Sequence, residues 1–226
     1  MKRTSTWITI TLAVLLLAPA VLSAAGGSSG SVPAAAPAAK LTPQQKAMVA
    51  YNEGLEHRNR AWELEEAAAA AAGDKAAKKA AKAQKAYKKA IERFRSATDE
   101  VPNFHQAFSS LGYALRKTGQ YQESLEAYDR SLAIDPRYTE AIEYRGEAYL
   151  GLDRIEEAKG AYMQLFQFDR ARAAELMTAM KRWLEDRRSD AGELDEQAIE
   201  GFATWVEERS EMVAQVGKLA SVGRSW

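Results

Sequence analysis

The sequence predicts an all-α protein: an α-solenoid of about three helix pairs, with an extended N-terminal αα-hairpin and C-terminal capping helices. From Thr42 onward, apolar residues recur with the period of an α-helix, and almost no strand-like alternation appears. The segment from His105 to Pro136 also resembles the segment from Thr139 to Arg170, so the chain repeats itself. Helix pairs of this kind bury their apolar faces by stacking on their neighbours.

Composition excludes several classes of protein. The chain has 226 residues, of which 46% are hydrophobic and 27% charged, which argues against wholesale disorder and against a polytopic membrane protein. Its 31 basic residues balance its 31 acidic ones, so no overall field favours nucleic acid. Cysteine is absent, which excludes disulfides, thiolate catalysis and cysteine zinc sites.

The first 41 residues precede the predicted fold. Lys2 and Arg3 are followed by an apolar run of about 15 residues and then by small residues, the pattern of a secretory signal peptide. The run is shorter than the ~20 residues that a membrane-spanning helix needs. We therefore expect residues 1–25 to be cleaved and the mature chain to be periplasmic or secreted. An uncleaved membrane anchor is the alternative. Residues 26–41, rich in Gly, Ser, Ala and Pro, are expected to be a disordered linker.

The predicted helices begin with a capping signal at Thr42, Pro43 and Gln45. In the repeats, Gly112 recurs as Gly146 and Tyr128 as Tyr162, each 34 residues further along the chain. A glycine at this position lets the paired helix approach closely because no side chain intervenes.

These recurring residues resemble the tetratricopeptide repeat family, as found in exported bacterial proteins. Each unit of that family is a pair of antiparallel helices. The resemblance divides the chain into units at residues 42–102, 103–138 and 139–171. It implies that the first helix of each unit lines a concave groove, and that the ligand is an extended segment or a helix of another protein.

The first unit contains an insertion. From Gly54 to Ala90 is 36 residues, whereas the equivalent step from Gly112 to Ser124 is 12. About 24 residues, near 61–86, therefore lengthen both helices into a projecting hairpin, with Gly73 ending its first arm. Asp74 is expected to cap its second arm.

Residues 172–217 are expected to form two amphipathic helices that cover the last apolar face of the solenoid. Trp183 and Trp205 would be large buried anchors in this cap, and residues 218–226 a flexible tail. A degenerate extra repeat is the alternative interpretation of the two helices.

The resemblance also predicts which residues line the groove. The lining would change from apolar and aromatic, through cationic, to acidic, which favours one ligand direction. The acidic residues, Glu140, Glu143 and Glu147, lie on one stripe of their helix. The alternative interpretation is that these three glutamates only keep the surface soluble. The predicted lining consists of Met48, Tyr51, Leu55, Arg58, Asn59, Gln106, Ser109, Tyr113, Arg116, Lys117, Glu140, Glu143 and Glu147.

Lysines occupy one side of the second hairpin helix. One interpretation is electrostatic docking to an anionic lipid, a glycan or an acidic partner. The other, which we favour on sequence alone, is a solvated face partly neutralised by glutamates of the adjoining arm, Glu63, Glu65 and Glu66. The lysines are Lys75, Lys78, Lys79, Lys82, Lys85 and Lys89.

Little in the sequence points to catalysis. His57 follows Glu53 by four residues, but two ligands are too few for a catalytic metal site. Neither a phosphate-binding loop nor a hydrolase or zinc-protease motif is present. We expect no enzymatic activity, no catalytic residues, no metal site and no cofactor.

The sequence therefore predicts an exported scaffold or assembly factor that holds a segment or helix of another envelope protein in its groove. Self-association is a further option, membrane contact is not favoured and nucleic acid is not expected. The alternative is a structural or docking module that uses the lysine-rich hairpin to contact a membrane, a glycan or a helical partner.

Overall fold

The computed structural model describes residues 40–189 and 194–222, and the predicted signal peptide and nearly all of the linker lie outside these ranges. The described residues contain eight helices and no strand, which confirms the all-α prediction. No described helix is both long and apolar enough to cross a membrane. The helices are α1 (Pro43–Ala69), α2 (Gly73–Glu100), α3 (His105–Lys117), α4 (Tyr121–Ile134), α5 (Thr139–Leu150), α6 (Ile155–Phe168), α7 (Arg170–Ser189) and α8 (Glu196–Val222).

The start of α1 is set by a capping box. The Thr42 hydroxyl accepts a hydrogen bond from the backbone N–H of Gln45 at 3.2 Å, and the Gln45 side chain accepts one from the backbone N–H of Thr42 at 2.9 Å. Pro43 occupies the first helical turn, where its missing N–H costs nothing. The helix therefore begins where its sequence predicts.

Close packing of glycine against an aromatic ring joins the two helices of each of the first two units. A Cβ atom on Gly112 would lie 2.6 Å from the ring of Tyr128, and one on Gly54 would lie 2.5 Å from the ring of Phe94. Both rings are fully buried. The predicted reason for a glycine at this position is thus confirmed.

The third unit uses its glycine differently. A Cβ atom on Gly146 would meet Leu176 of α7 at 2.6 Å, not the aromatic ring of its own second helix. That ring, Tyr162, packs against Phe166 and Trp205 with centroid distances of 5.8 and 5.5 Å. The third unit is therefore closed by the C-terminal helices.

The first two helices form a long hairpin. They have 27 and 28 residues, whereas α3 to α6 have 12 to 14. α1 ends at Ala69, four residues before the expected end at Gly73. Gly73 instead starts α2 with a φ of 55°, because the chain reverses there in a left-handed conformation that suits glycine. Asp74 consequently lies within the first turn of α2 and is not its cap.

α7 packs on α5 and α6 in the way that α5 packs on α3 and α4. It starts directly after α6, where the carboxylate of Asp169 accepts hydrogen bonds from the backbone N–H of Arg172 at 3.1 Å and from the Thr139 hydroxyl at 3.0 Å. α7 therefore occupies the place of the first helix of a further repeat.

Trp183 and Trp205, predicted to be large buried anchors, pack against the core of this region but remain partly exposed. Both are half-buried, and the fully buried aromatic side chain of this region is Phe202. Trp183 stays at the edge because its indole N–H donates to the backbone oxygen of Leu150 at 2.7 Å. The last helix extends to Val222, past the expected end of the cap at residue 217.

Candidate functional site

The first helices of successive units lie side by side, since α3 contacts α1 and α5, and α5 contacts α7. Their side chains meet across the helix boundaries. The indole N–H of Trp62 in α1 donates to the Tyr113 hydroxyl in α3 at 2.7 Å, and the ring of Tyr113 meets that of Tyr144 in α5 with centroids 5.0 Å apart. We call Arg58, Trp62, Tyr113, Arg116 and Tyr144 the first-helix face.

Two guanidinium groups lie on these rings. The Arg58 guanidinium lies 4.3 Å from the centroid of the Trp62 ring, and Arg116 lies 5.3 and 5.4 Å from those of Tyr113 and Tyr144. Arg116 also forms an ion pair with Glu147 at 2.8 Å.

Arg58 has no ion-pair partner among the described residues. Its Nη2 donates to the side-chain oxygen of Asn59 at 3.3 Å, but no described carboxylate lies within 4.0 Å of it. The Nε atom of Arg58 is buried without a hydrogen-bond partner. The first-helix face thus combines three aromatic rings with two arginines. Arg116 is paired with a carboxylate, and Arg58 has no described carboxylate partner.

The glutamates on α5 form ion pairs with arginines of the neighbouring helices α3 and α7. Arg172 of α7 binds Glu143 and lies 3.4 Å from Glu140, while Arg116 binds Glu147. Glu143 is 3% exposed, so it does not serve to keep the surface soluble. The prediction that Glu143 lines the groove is therefore wrong, whereas Glu140 and Glu147 are half-buried and form ion pairs with Arg172 and Arg116.

Burial controls the protonation of Glu143. Its pKa is raised from 4.5 to about 7, chiefly because the carboxyl is removed from water; the hydrogen bond and charge of Arg172 oppose this rise, and the charges of Glu147 and Glu175 add to it. Burial likewise raises the pKa of the Tyr144 hydroxyl, with Glu140 and Glu143 adding to the effect. The α5 side of the face is thus a desolvated, hydrogen-bonded cluster.

Some predicted lining residues are not available to a ligand. Ser109 is 1% exposed, and its repeat equivalent 34 residues on is the buried Glu143, which contacts the next first helix. This repeat position faces the neighbouring unit, so the prediction that Ser109 lines the groove is wrong. Lys117 forms an ion pair with Glu65 of the hairpin at 2.8 Å.

The remaining predicted residues lie along α1 and at the start of α3. Tyr51 packs on Phe94 and Phe104 with centroid distances of 5.8 and 4.8 Å, which fixes its ring. Met48 is exposed near the start of α1. The other members, Leu55, Asn59 and Gln106, are half-buried.

Three residues of the site were missed by the sequence analysis. Trp62 follows Arg58 by four residues and Tyr144 follows Glu140 by four, so helical spacing would have placed both on the predicted stripes. Arg172 lies beyond the recognisable repeats, and only the docking of α7 on α5 brings it to Glu143.

The lysines of α2 divide into two groups. Lys79 is half-buried and donates to the backbone oxygen of Ala67 in α1 at 3.0 Å. The other five are exposed, and we call them the lysine strip: Lys75, Lys78, Lys82, Lys85 and Lys89.

The expected neutralisation of this strip by α1 does not occur. Glu63 pairs with Arg60 at 2.7 Å, and Glu65 pairs with Lys117 and accepts from the Tyr87 hydroxyl at 2.9 Å. Within residues 40–189 and 194–222, no ion pair joins the strip to Glu63, Glu65 or Glu66.

Metal binding finds no support in the described residues. Glu53 forms an ion pair with Arg93 of α2 at 3.2 Å, which occupies the carboxylate that His57 would have shared. In the part of the chain that the structure describes, no three His, Asp or Glu side chains gather closely enough to hold a metal ion.

Residues 105–138, which span α3 and α4, match the family model described as tetratricopeptide repeat. The chain is similar to this family over that unit. Together with the paired helices on either side, the match makes the fold a tetratricopeptide-repeat-like α-solenoid. The matching family describes a structural repeat and not a catalytic domain.

Two curated relatives share a short stretch with the chain. The small glutamine-rich tetratricopeptide repeat-containing protein 2 of Mycosarcoma maydis is 43% identical over 47 residues, 21% of this chain and 13% of that protein. The UDP-N-acetylglucosamine--peptide N-acetylglucosaminyltransferase of Giardia intestinalis is 28% identical over 80 residues, 35% of this chain and 5% of that protein. The chain thus spans well under a fifth of the length of either relative.

Among solved structures, the first tetratricopeptide repeat domain of Spaghetti (RPAP3) bound to the HSP90 peptide SRMEEVD has a TM-score of 0.48 and 19% identity. The similarity covers 62% of this chain and 95% of that one. The first such domain of human RPAP3 has the same TM-score and 18% identity, covering 66% of this chain and 98% of that one.

Proposed function

We propose that this chain is an exported scaffold that binds an extended segment of another envelope protein across its first-helix face. The observation that carries the proposal is the continuous contact of side chains from three successive first helices, Trp62 of α1, Tyr113 of α3 and Tyr144 of α5. A surface that runs across several repeats suits an extended ligand, and the repeat match at residues 105–138 supports an interaction role.

The chemistry of the face indicates how a ligand would be held. Half-buried aromatic rings and arginines are the side chains that contribute most to binding in protein interfaces. Arg58 is the cation of the face that lacks a described carboxylate partner, so its guanidinium is available to ligand carbonyl or carboxylate oxygens. The α5 glutamates are occupied by Arg116 and Arg172 and contribute to packing of the units instead.

Selection from a random peptide library, followed by affinity measurements with single-residue variants, tests this function. We expect Arg58→Gln to weaken the binding of a selected peptide at least about tenfold, because the substitution removes from the face the cation that lacks a described carboxylate partner. Arg130→Gln is the matched control. Arg130 is exposed on α4 and lies 5.6 Å from the Phe108 ring, much as Arg58 lies over Trp62.

Arg130→Gln should change the affinity less than about twofold, since α4 is a second helix and lies outside the face. Equal affinities for the two variants, or peptides that bind only through α4 or α6, would show that the first-helix face is not the binding site. Charge reversal of the α5 glutamates is a poor test, because it leaves Arg116 and Arg172 facing like charges and destabilises the fold.

A further inference from the structure

The lysine strip follows one side of α2 in a regular row. Its members are separated by steps of three and four residues, which places them on the same side of a helix. At 1.5 Å per residue the row from Lys75 to Lys89 is about 21 Å long. All five side chains are exposed, so the row presents a narrow and continuous positive surface.

Nothing described in the molecule neutralises this row. Within residues 40–189 and 194–222, none of the five ammonium groups has a carboxylate within 4.0 Å. The α2 cations that do form ion pairs, Arg93 with Glu53 and Arg95 with Glu123, are arginines that follow the strip. A solvated face neutralised by the adjoining arm would have ion pairs between the strip lysines and glutamates of α1, and the described residues contain none.

The strip begins on the part of the hairpin that extends past the repeats. The contacts of the hairpin with α3 reach Trp62 and Glu65 on α1 and Gln84 on α2, whose side chain donates to the backbone oxygen of Lys117 at 3.0 Å. Beyond these contacts, residues 67–72 and 75–83 are almost entirely Ala and Lys. This outer portion offers no aromatic or large aliphatic side chain.

We infer that the lysine strip docks the protein on the surface of an anionic lipid bilayer. Protein interfaces need an apolar core and are depleted in lysine, so a row of lysines between alanines is poorly suited to a protein partner. Anionic headgroups, in contrast, attract clusters of four to eight basic residues on a helix, and each lysine near the surface adds about 1 kcal/mol. A helix that bears its charges along one side also matches a planar surface.

Binding of the full-length chain to vesicles tests this inference. The probes are phosphatidylcholine vesicles with and without phosphatidylglycerol, with bound protein measured by flotation at low and at physiological salt. We expect binding to require phosphatidylglycerol and to weaken as salt rises, since screening shortens electrostatic attraction. Each lysine-to-glutamine substitution in the strip should lower the partition coefficient about fivefold.

A charge-matched variant serves as the control. One variant replaces all five strip lysines with glutamine, and the other replaces five exposed cations elsewhere, so that both have the same net charge and the same N-terminal apolar segment. Circular dichroism establishes that both variants fold. The control substitutions are Lys88→Gln, Arg130→Gln, Lys181→Gln, Arg182→Gln and Arg188→Gln.

The inference holds if the strip variant loses its phosphatidylglycerol-dependent binding and the control variant keeps it. Equal binding by the two variants would overturn it, because net charge and not the strip would then be responsible. Binding that is the same with and without phosphatidylglycerol would also overturn it. The inference would fail as well if the protein bound an acidic protein through the strip but did not bind the vesicles.

Discussion

Single glycines determine how closely the helices of a unit approach one another. Gly112→Ala would place a Cβ atom 2.6 Å from the buried Tyr128 ring, and neither the ring nor the helix can move far in a packed core. We expect the substitution to lower the free energy of unfolding by about 1–3 kcal/mol, measured by urea denaturation.

The control for this prediction is Gly160→Ala. Gly160 is an exposed residue inside α6, and a Cβ atom there would meet nothing within 4 Å. The free energy of unfolding should rise by about 0.5–1 kcal/mol, because alanine favours the helix. If both alanines shifted stability in the same direction, close approach would not be the reason for glycine at position 112.

Glu143 couples stability to pH. Its pKa is raised from 4.5 to about 7 in the folded protein, so between these values the folded chain binds more protons than the unfolded chain. The stabilising contribution of the protonated carboxyl is complete below pH 4.5 and is lost as the pH rises through 7.

Replacement with the neutral isostere removes this dependence. From pH 5 to pH 8 the wild-type protein should lose about 1–3 kcal/mol of unfolding free energy relative to Glu143→Gln. Urea denaturation at the two pH values measures the difference. A Glu143→Gln protein whose stability changes with pH as the wild type does would mean that the Arg172 ion pair, and not burial, controls this carboxyl.

At the scale of the helices, the C-terminal pair depends on its buried side chains. Phe202 of α8 is 1% exposed and packs against Trp183 with ring centroids 5.5 Å apart. We expect Phe202→Ala to cost about 3–5 kcal/mol of unfolding free energy by loss of contacts and creation of a cavity.

Met212, further along the same helix, provides the contrast. Its side chain is 44% exposed, so Met212→Ala should change the melting temperature little. If Phe202→Ala were equally mild, α8 would not close the end of the solenoid, and the third unit would be stabilised by α7 alone.

Across the whole molecule, the sequence allows the fold to be predicted better than the site. Gly112 and the capping residues at Thr42 and Gln45 act locally, so their spacing alone predicts the helices and their pairing. Arg172 and Glu143 are 29 residues apart and meet only through the docking of α7 on α5. No local pattern predicts that contact, and for this reason Glu143 was wrongly predicted to line the groove.

The hairpin likewise combines a length that the sequence predicts with ion pairs that it does not predict. Its added length follows from the distance between Gly54 and Ala90, and the long α1 and α2 show it directly. Whether its lysines are neutralised depends on which partners Glu63 and Glu65 find. In the structure these are Arg60 and Lys117, the second of which is contributed by another unit.

NMR chemical-shift perturbation by a selected peptide shows which helices of the protein contact a ligand. Side chains of α1, α3 and α5 form the first-helix face, so the account predicts perturbations along these three helices, largest around Trp62, Tyr113 and Tyr144. Perturbations confined to the second helices, or to the pocket of about 460 Å³ bordered by Phe166 and Met177, would contradict it.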